Sequence, residues 1–175
     1  MGRTRSQPGY FVLQLNAVST GCISFPICHS LGMHARFSRR GTKKSKMRIV
    51  IADDSRVVVE RLTALLNEIP GVELVGQASN AREALRCIRQ MNPDIAILDL
   101  QMPGGSGLDI LRTIRPERPG LSVLICTNYP YPQYRDECLA AGANYFLDKS
   151  AEFEKIPAIL RSLVRSVAKT TPAAR

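Results

Sequence analysis

The 175-residue sequence predicts an α/β fold: a doubly wound, five-stranded parallel sheet with helices on both faces. Three observations carry this prediction. Five short runs of near-continuous apolar residues recur from residue 47 onward. Between them, apolar residues return every three or four positions, the period of a helix with one buried face. The hydrophobic fraction of 45% is enough to bury a core, and the length suits one ordinary domain with some residues to spare. Strands buried on both faces lose the in-and-out alternation of a half-exposed sheet, so apolar continuity points to parallel strands covered by helices. Right-handed crossovers then wind the chain in both directions.

The elements follow in order. Arg48-Ile-Val-Ile-Ala52 is the first strand. Ser55 is a candidate N-cap for a helix whose inward stripe is Val58, Leu62, Leu65, Leu66 and Ile69, and Pro70-Gly71 stops it. Val72 to Ala78 reads as the second strand. Asn80 is a candidate cap for the second helix, with Ala84, Leu85, Ile88 and Met91 inward. Asp94-Ile-Ala-Ile-Leu98 is the third strand, and a Gly-rich loop leads to a helix over Leu108 to Ile114. Leu121 to Cys126 is the fourth strand, Gln133 to Ala141 the fourth helix and Asn144 to Leu147 the fifth strand. The last helix covers Glu152 to Ala168, with Ile156, Ile159, Leu160, Leu163, Val164 and Val167 on one stripe.

The net charge of +9 is placed unevenly. Residues 1–46 hold eight Lys/Arg and no acid, whereas residues 47–175 hold 16 Lys/Arg against 15 Asp/Glu, or +1. A near-neutral body argues against a nucleic-acid surface on it. Pro8, Gly9, Gly21, Pro26 and Gly32 break any period in the first segment. The expected organisation is therefore a basic, disordered extension over 1–46, a folded domain over 47–168 and a short tail over 169–175. The favoured reading of the extension is a solvated tail, or residues upstream of a natural start at Met47. A cleaved targeting peptide, a basic arm for nucleic acid or acidic lipid, and a metal site of Cys22, Cys28, His29 and His34 stay open. Cys-x5-Cys is not a usual zinc spacing. No apolar run reaches the roughly 18 to 20 residues that a bilayer crossing needs. Five cysteines form no disulfide framework, so a cytoplasmic chain with reduced thiols is expected.

In a doubly wound sheet the chemistry lies beyond the carboxyl ends of the strands. Asp53 and Asp54 follow the first strand, Asp99 the third, Thr127 the fourth and Lys149 the fifth. Folding thus gathers three carboxylates, a hydroxyl and an ammonium. Three carboxylates repel one another unless a cation neutralises them. An all-oxygen ligand set without Cys or His suits a hard ion such as Mg²⁺. Such a site, with an ammonium and a hydroxyl but no His, is built to hold a phosphoryl group. A carboxylate beside the phosphorus can itself be the nucleophile and form an acyl phosphate. Each residue alone has a bland reading: a cap or turn for an Asp or Thr127, a solvated charge for Lys149. Their conjunction points to chemistry.

The motifs Ile51-Ala-Asp-Asp-Ser55, Leu98-Asp-Leu-Gln-Met-Pro-Gly-Gly-Ser-Gly107, Cys126-Thr-Asn128 and Gly142-Ala-Asn-Tyr-Phe-Leu-Asp-Lys-Ser150 resemble the receiver domain of two-component response regulators, the CheY-like family. The likeness covers residues 47–168. It implies a flavodoxin-like strand order of 2-1-3-4-5. It also implies that Asp99 is the phospho-acceptor, and that Asp54, Asp99 and the backbone carbonyl of Gln101 bind Mg²⁺ directly, with Asp53 acting through water. Thr127 would hydrogen-bond the phosphoryl group and Lys149 would pair with it. Phe146 stands where the family has an aromatic switch that turns inward as Thr127 moves toward the phosphoryl group, reshaping the surface of helix four, strand five and helix five. Pro103 and Gly107 match the loop after the nucleophile, where turn geometry is the plainer role. Ser150 replaces a frequent Pro and Asn128 a frequent small residue; both variants resemble the LuxR/NarL-type branch. The aromatic stretch Asn128 to Tyr134 reads as a stiff loop capping the next helix or as a docking patch.

Only Lys169 to Arg175 follow the last helix, and a helix-turn-helix reader needs about 60 residues. The expectation is a stand-alone receiver without a DNA-binding domain, not a turnover enzyme, acting by protein contact or as a phosphate shuttle. Residues 47–175 contain no His, so a separate phosphohistidine protein must supply the phosphoryl group. That donor is a sensor histidine kinase or a phosphotransfer protein; the downstream target is unnamed, and a homodimer is open. An Asp-nucleophile phosphatase of the haloacid-dehalogenase type competes, but it wants Asp-x-Asp and a cap domain. An interaction-only receiver would lack a site residue, and none is missing.

Overall fold

The computed structural model describes residues 46–170, and the side chains of residues 46–166. Residues 1–45 with Cys22, Cys28, His29 and His34, the side chain of Val167 and residues 171–175 lie outside the described residues. The order is β1 (Met47–Ala52), α1 (Arg56–Asn67), β2 (Val72–Ala78), α2 (Ala81–Met91), β3 (Ile95–Leu98), β4 (Gln101–Met102), β5 (Gly105–Ser106), α3 (Gly107–Glu117), β6 (Ser122–Thr127), α4 (Pro132–Ala140), β7 (Tyr145–Asp148), a 3-10 turn (Phe153–Lys155) and α5 (Ile156–Thr170). The five long strands form one sheet, β2-β1-β3-β6-β7, and all its pairs are parallel. That is the expected order of five strands. The two-residue antiparallel ribbon β4–β5 is additional; its length is below what a sequence period can register.

Period two survives inside strands that read as uniformly apolar. Ile49 and Ile51 of β1 pack with Leu62 and Leu66 of α1 and with Ile156 and Leu160 of α5. Val50 and Ala52 pack on the other face with Ala84 and Ile88 of α2 and with Ile110, Leu111 and Ile114 of α3. Both faces of β1 are thus sealed, which is why its side chains show no polar alternation.

Helix boundaries shift in ways the caps explain. Asn80 caps α2 as expected, its side chain accepting from the Glu83 N–H at 2.9 Å. Ser55 holds the N-cap position of α1 but makes no side-chain cap bond. Met91, expected inward, is 36% exposed, because α2 ends there and Asn92 turns left-handed. The helix α4 begins at Pro132, a residue pre-set for the first helical position. The last helix opens with a 3-10 turn that buries Phe153, and regular α geometry starts only at Ile156. No helix among the described residues is long and apolar enough to cross a membrane.

The ladder continues past the strand ends. The Asp53 N–H donates to the Ala78 carbonyl at 3.0 Å, the Asp99 N–H to Ala52 at 2.8 Å and the Lys149 N–H to Thr127 at 2.9 Å. Backbone pairing therefore brings the polar residues to one edge of the sheet.

Candidate functional site

At that edge Lys149 lies between two acids. Its Nζ is 2.7 Å from Asp53 Oδ2 and 2.9 Å from Asp99 Oδ2. All three residues are buried: Asp53 4%, Asp99 7% and Lys149 7% exposed. Burial works to lower the Lys149 pKa, but hydrogen bonds and charges from Asp53 and Asp99 outweigh it and leave it raised, so the ammonium stays charged. Burial raises the Asp53 pKa above the ordinary carboxylate value despite the Lys149 ammonium and the Ser55 N–H, which donates to Asp53 Oδ1 at 2.9 Å. One ammonium is not enough for this cluster.

The remaining demand is visible at Asp99. One of its oxygens takes Lys149; the other, Oδ1, is buried and has no hydrogen-bond partner. A buried acceptor left unpaired is costly, so such an atom calls for a ligand. One oxygen from each of Asp53, Asp54 and Asp99 lies within 4.8 Å of the others, with Asp54 exposed and facing solvent. The donors are all oxygen. That set fits a hard divalent cation such as Mg²⁺, which keeps several waters and takes few carboxylates.

Thr127 ends β6, fully buried, and its hydroxyl accepts from the Tyr129 N–H at 3.1 Å, an ST-turn into its own loop. Phe146 pairs with Ile125 in the β6–β7 register, two residues from Thr127, and its ring is 3% exposed, hence inward. Gln101 lies on β4 opposite Ser106, its side chain exposed. The Pro103 carbonyl accepts from the Ala81 N–H at 3.1 Å, which ties this loop to the start of α2.

The role of Gly107 is more specific than a turn. A Cβ there would collide with the carbonyl of Asp99, while the Gly107 N–H donates to Leu100 at 3.0 Å. Only glycine lets α3 start against the backbone of Asp99.

Sequence reading missed two residues beside this constellation. Arg135 of α4 holds its guanidinium 5.0 Å above the Phe146 ring and 3.6 Å from Glu152, and Glu152 accepts from the Asp148 N–H at 3.1 Å. No local motif marks them, because each contact joins different elements. The thiols of Cys126 and Cys138 are pushed up by burial, to about 12 and about 11, so neither is a nucleophile near neutral pH. A cavity of about 410 Å³ lined by Asn92, Asp94, Pro119 and Ser122 opens at the other end of the sheet, away from Asp53, Asp54 and Asp99.

Residues 49–161 match the response regulator receiver domain. The transcriptional regulatory protein YvfU of Bacillus subtilis is 32% identical over 119 residues, 68% of this chain and 60% of YvfU. A two-component response regulator of the LuxR family from Aurantimonas sp. SI85-9A1 superposes with a TM-score of 0.64 at 30% identity, covering 70% of this chain and 87% of that one. A CheY-like receiver domain protein from Methanospirillum hungatei has the same fold, with a TM-score of 0.64 at 24% identity over 71% of this chain and 98% of that one. The chain spans 50% to 60% of the length of such curated regulators. By the match over residues 49–161, and by the regulators it resembles, the chain belongs to the response regulator receiver domain family of two-component signalling, with LuxR-type receivers among its neighbours.

Proposed function

We propose that the domain accepts a phosphoryl group on Asp99 from a phosphohistidine donor and passes the event to a partner through the surface of α4, β7 and α5. The observation that carries this reading is Asp99 itself: buried, held on one oxygen by Lys149, and with the other oxygen unpartnered. The carboxylate attacks phosphorus; an O–P bond forms as the P–N bond to the donor imidazole breaks, and the imidazole leaves. Lys149 pairs with the phosphoryl oxygens, and the Thr127 hydroxyl turns from its loop to donate to them. Asp54, Asp99 and the Gln101 carbonyl would hold Mg²⁺, with Asp53 acting through water. That ion supplies charge neutralisation between carboxylates and phosphate.

The donor is a sensor histidine kinase or a phosphotransfer protein, since residues 47–175 hold no His of their own. The Phe146 ring is already inward while the Thr127 hydroxyl faces its own loop, so a shift of Thr127 to the phosphoryl group would fix that inward position rather than bring it about, and the surface of α4, β7 and α5 would report it. The reading describes a signalling domain rather than a turnover enzyme. Its test is intact-mass spectrometry after incubation with Mg²⁺ and a small phosphodonor, wild type beside Asp99→Asn. One phosphoryl adduct on the wild type, lost in alkali and absent from the variant, is the expected result. An adduct that persists on Asp99→Asn at the same peptide sinks the assignment.

A further inference from the structure

We propose that Arg135 is a positioning residue of this receiver: it holds the Phe146 ring inward and ties α4 to the loop that carries Lys149, favouring the state that binds the phosphoryl group. The inference rests on the function proposed above.

The helix α4 is weakly anchored. It buries one residue, Cys138, where α2 buries three and α3 five, and it has no side-chain N-cap bond. Its placement must depend on a few side-chain contacts, and Arg135 makes two. The guanidinium carbon lies 5.0 Å from the Phe146 ring centroid, within cation–π reach. Its Nη2 is 3.6 Å from Glu152 Oε2. The same Glu152 oxygen accepts from the Asp148 N–H at 3.1 Å, and the Glu152 N–H donates to the Asp148 carbonyl at 2.8 Å. Asp148 precedes Lys149, whose ammonium sits on Asp53 and Asp99. One side chain thus touches the switch ring directly and reaches the end of β7, next to Lys149, through Glu152.

A half-exposed ion pair at that distance contributes little by itself, and Glu152 is shared with Lys155 at 2.7 Å. The contact with a buried ring is the larger part. The contact joins Arg135 to the ring in its inward position and so stabilises that position. By linkage it must then raise affinity for whatever else selects the inward state.

The experiment measures fluoroberyllate affinity, a stable stand-in for the phosphoryl group, in the full chain with saturating Mg²⁺. Arg135→Met keeps the aliphatic stem and removes the cation. It is expected to weaken fluoroberyllate binding by about three- to fivefold while Mg²⁺ affinity alone is unchanged, the size of a single cation–π contact. Arg135→Lys should recover part of the loss. In a Phe146→Leu background, Arg135→Met should add little, because the ring it acts on is gone. Fluoroberyllate binding within twofold of wild type, or tighter, overturns the role of Arg135, as does full additivity with Phe146→Leu. A general loss of Mg²⁺ affinity points instead to a merely structural arginine and also overturns it. A wild-type chain that binds Mg²⁺ but no fluoroberyllate overturns the proposed function first, and this inference with it.

Discussion

Single side chains divide here by what surrounds them. Gly107 is the most constrained, since any Cβ would run into the Asp99 carbonyl. Gly107→Ala is expected to cost about 1–3 kcal/mol through overpacking, readable as a lower urea midpoint. It should also reduce the Asp99 adduct far more than it reduces folded protein, because the strain falls on the backbone of Asp99, the proposed phospho-acceptor. Cysteines give the opposite case. Cys126 and Cys138 are buried, with pKa values of about 12 and about 11, so at pH 8 almost no thiolate forms. Peptide mapping after iodoacetamide treatment of the native chain should leave both unmodified, and labelling in urea should reach both. Native labelling at either position would show that the core opens locally.

At the scale of elements, the start of α3 carries a capping box. The Ser106 hydroxyl accepts from the Asp109 N–H at 3.0 Å, and Asp109 Oδ2 accepts from the Ser106 N–H, also at 3.0 Å. Ser106→Ala should destabilise the domain by about 1 kcal/mol in chemical denaturation. The hydroxyl and N–H of Ser106 also hold the Asp109 pKa below its ordinary 3.8. A lowered folded-state pKa contributes stability above the unfolded value and loses it as pH falls through the folded one. The stability gap between wild type and Asp109→Asn should therefore be constant near neutrality and close below about pH 4. A gap that widens on acidification would contradict the assigned cap. This helix bears on the proposed function because its first turn abuts Asp99.

For the whole molecule, the core on both faces of the sheet is built from residues 47–160. Removing residues 1–46 is expected to leave Mg²⁺ binding and phosphorylation at Asp99 intact; isothermal titration and intact mass would check it, and loss of folding would show the extension to be structural. Mg²⁺ should raise the thermal midpoint of the chain by binding the native state alone. Asp54→Asn should abolish most of that rise with little change in the midpoint measured in chelator, since Asp54 is exposed and bears no core contact. A shift equal to that of the wild type would place the ion elsewhere.

Reading the chain alone went far because its information is local or periodic. The strands declare themselves by apolar continuity, the helices by period, and Asp53, Asp54, Asp99, Thr127 and Lys149 by standing at strand ends, where a parallel sheet must gather them. Motif likeness assigned their expected roles. Tertiary structure decided what depends on distances between elements. It set Lys149 within 3 Å of two acids and left one Asp99 oxygen without a partner. It turned Gly107 from a turn residue into a close-approach site, and it laid Arg135 over Phe146. Periodicity records which side of an element faces the core, whereas a contact between α4 and β7 depends on how two elements dock, and no spacing within either one encodes that.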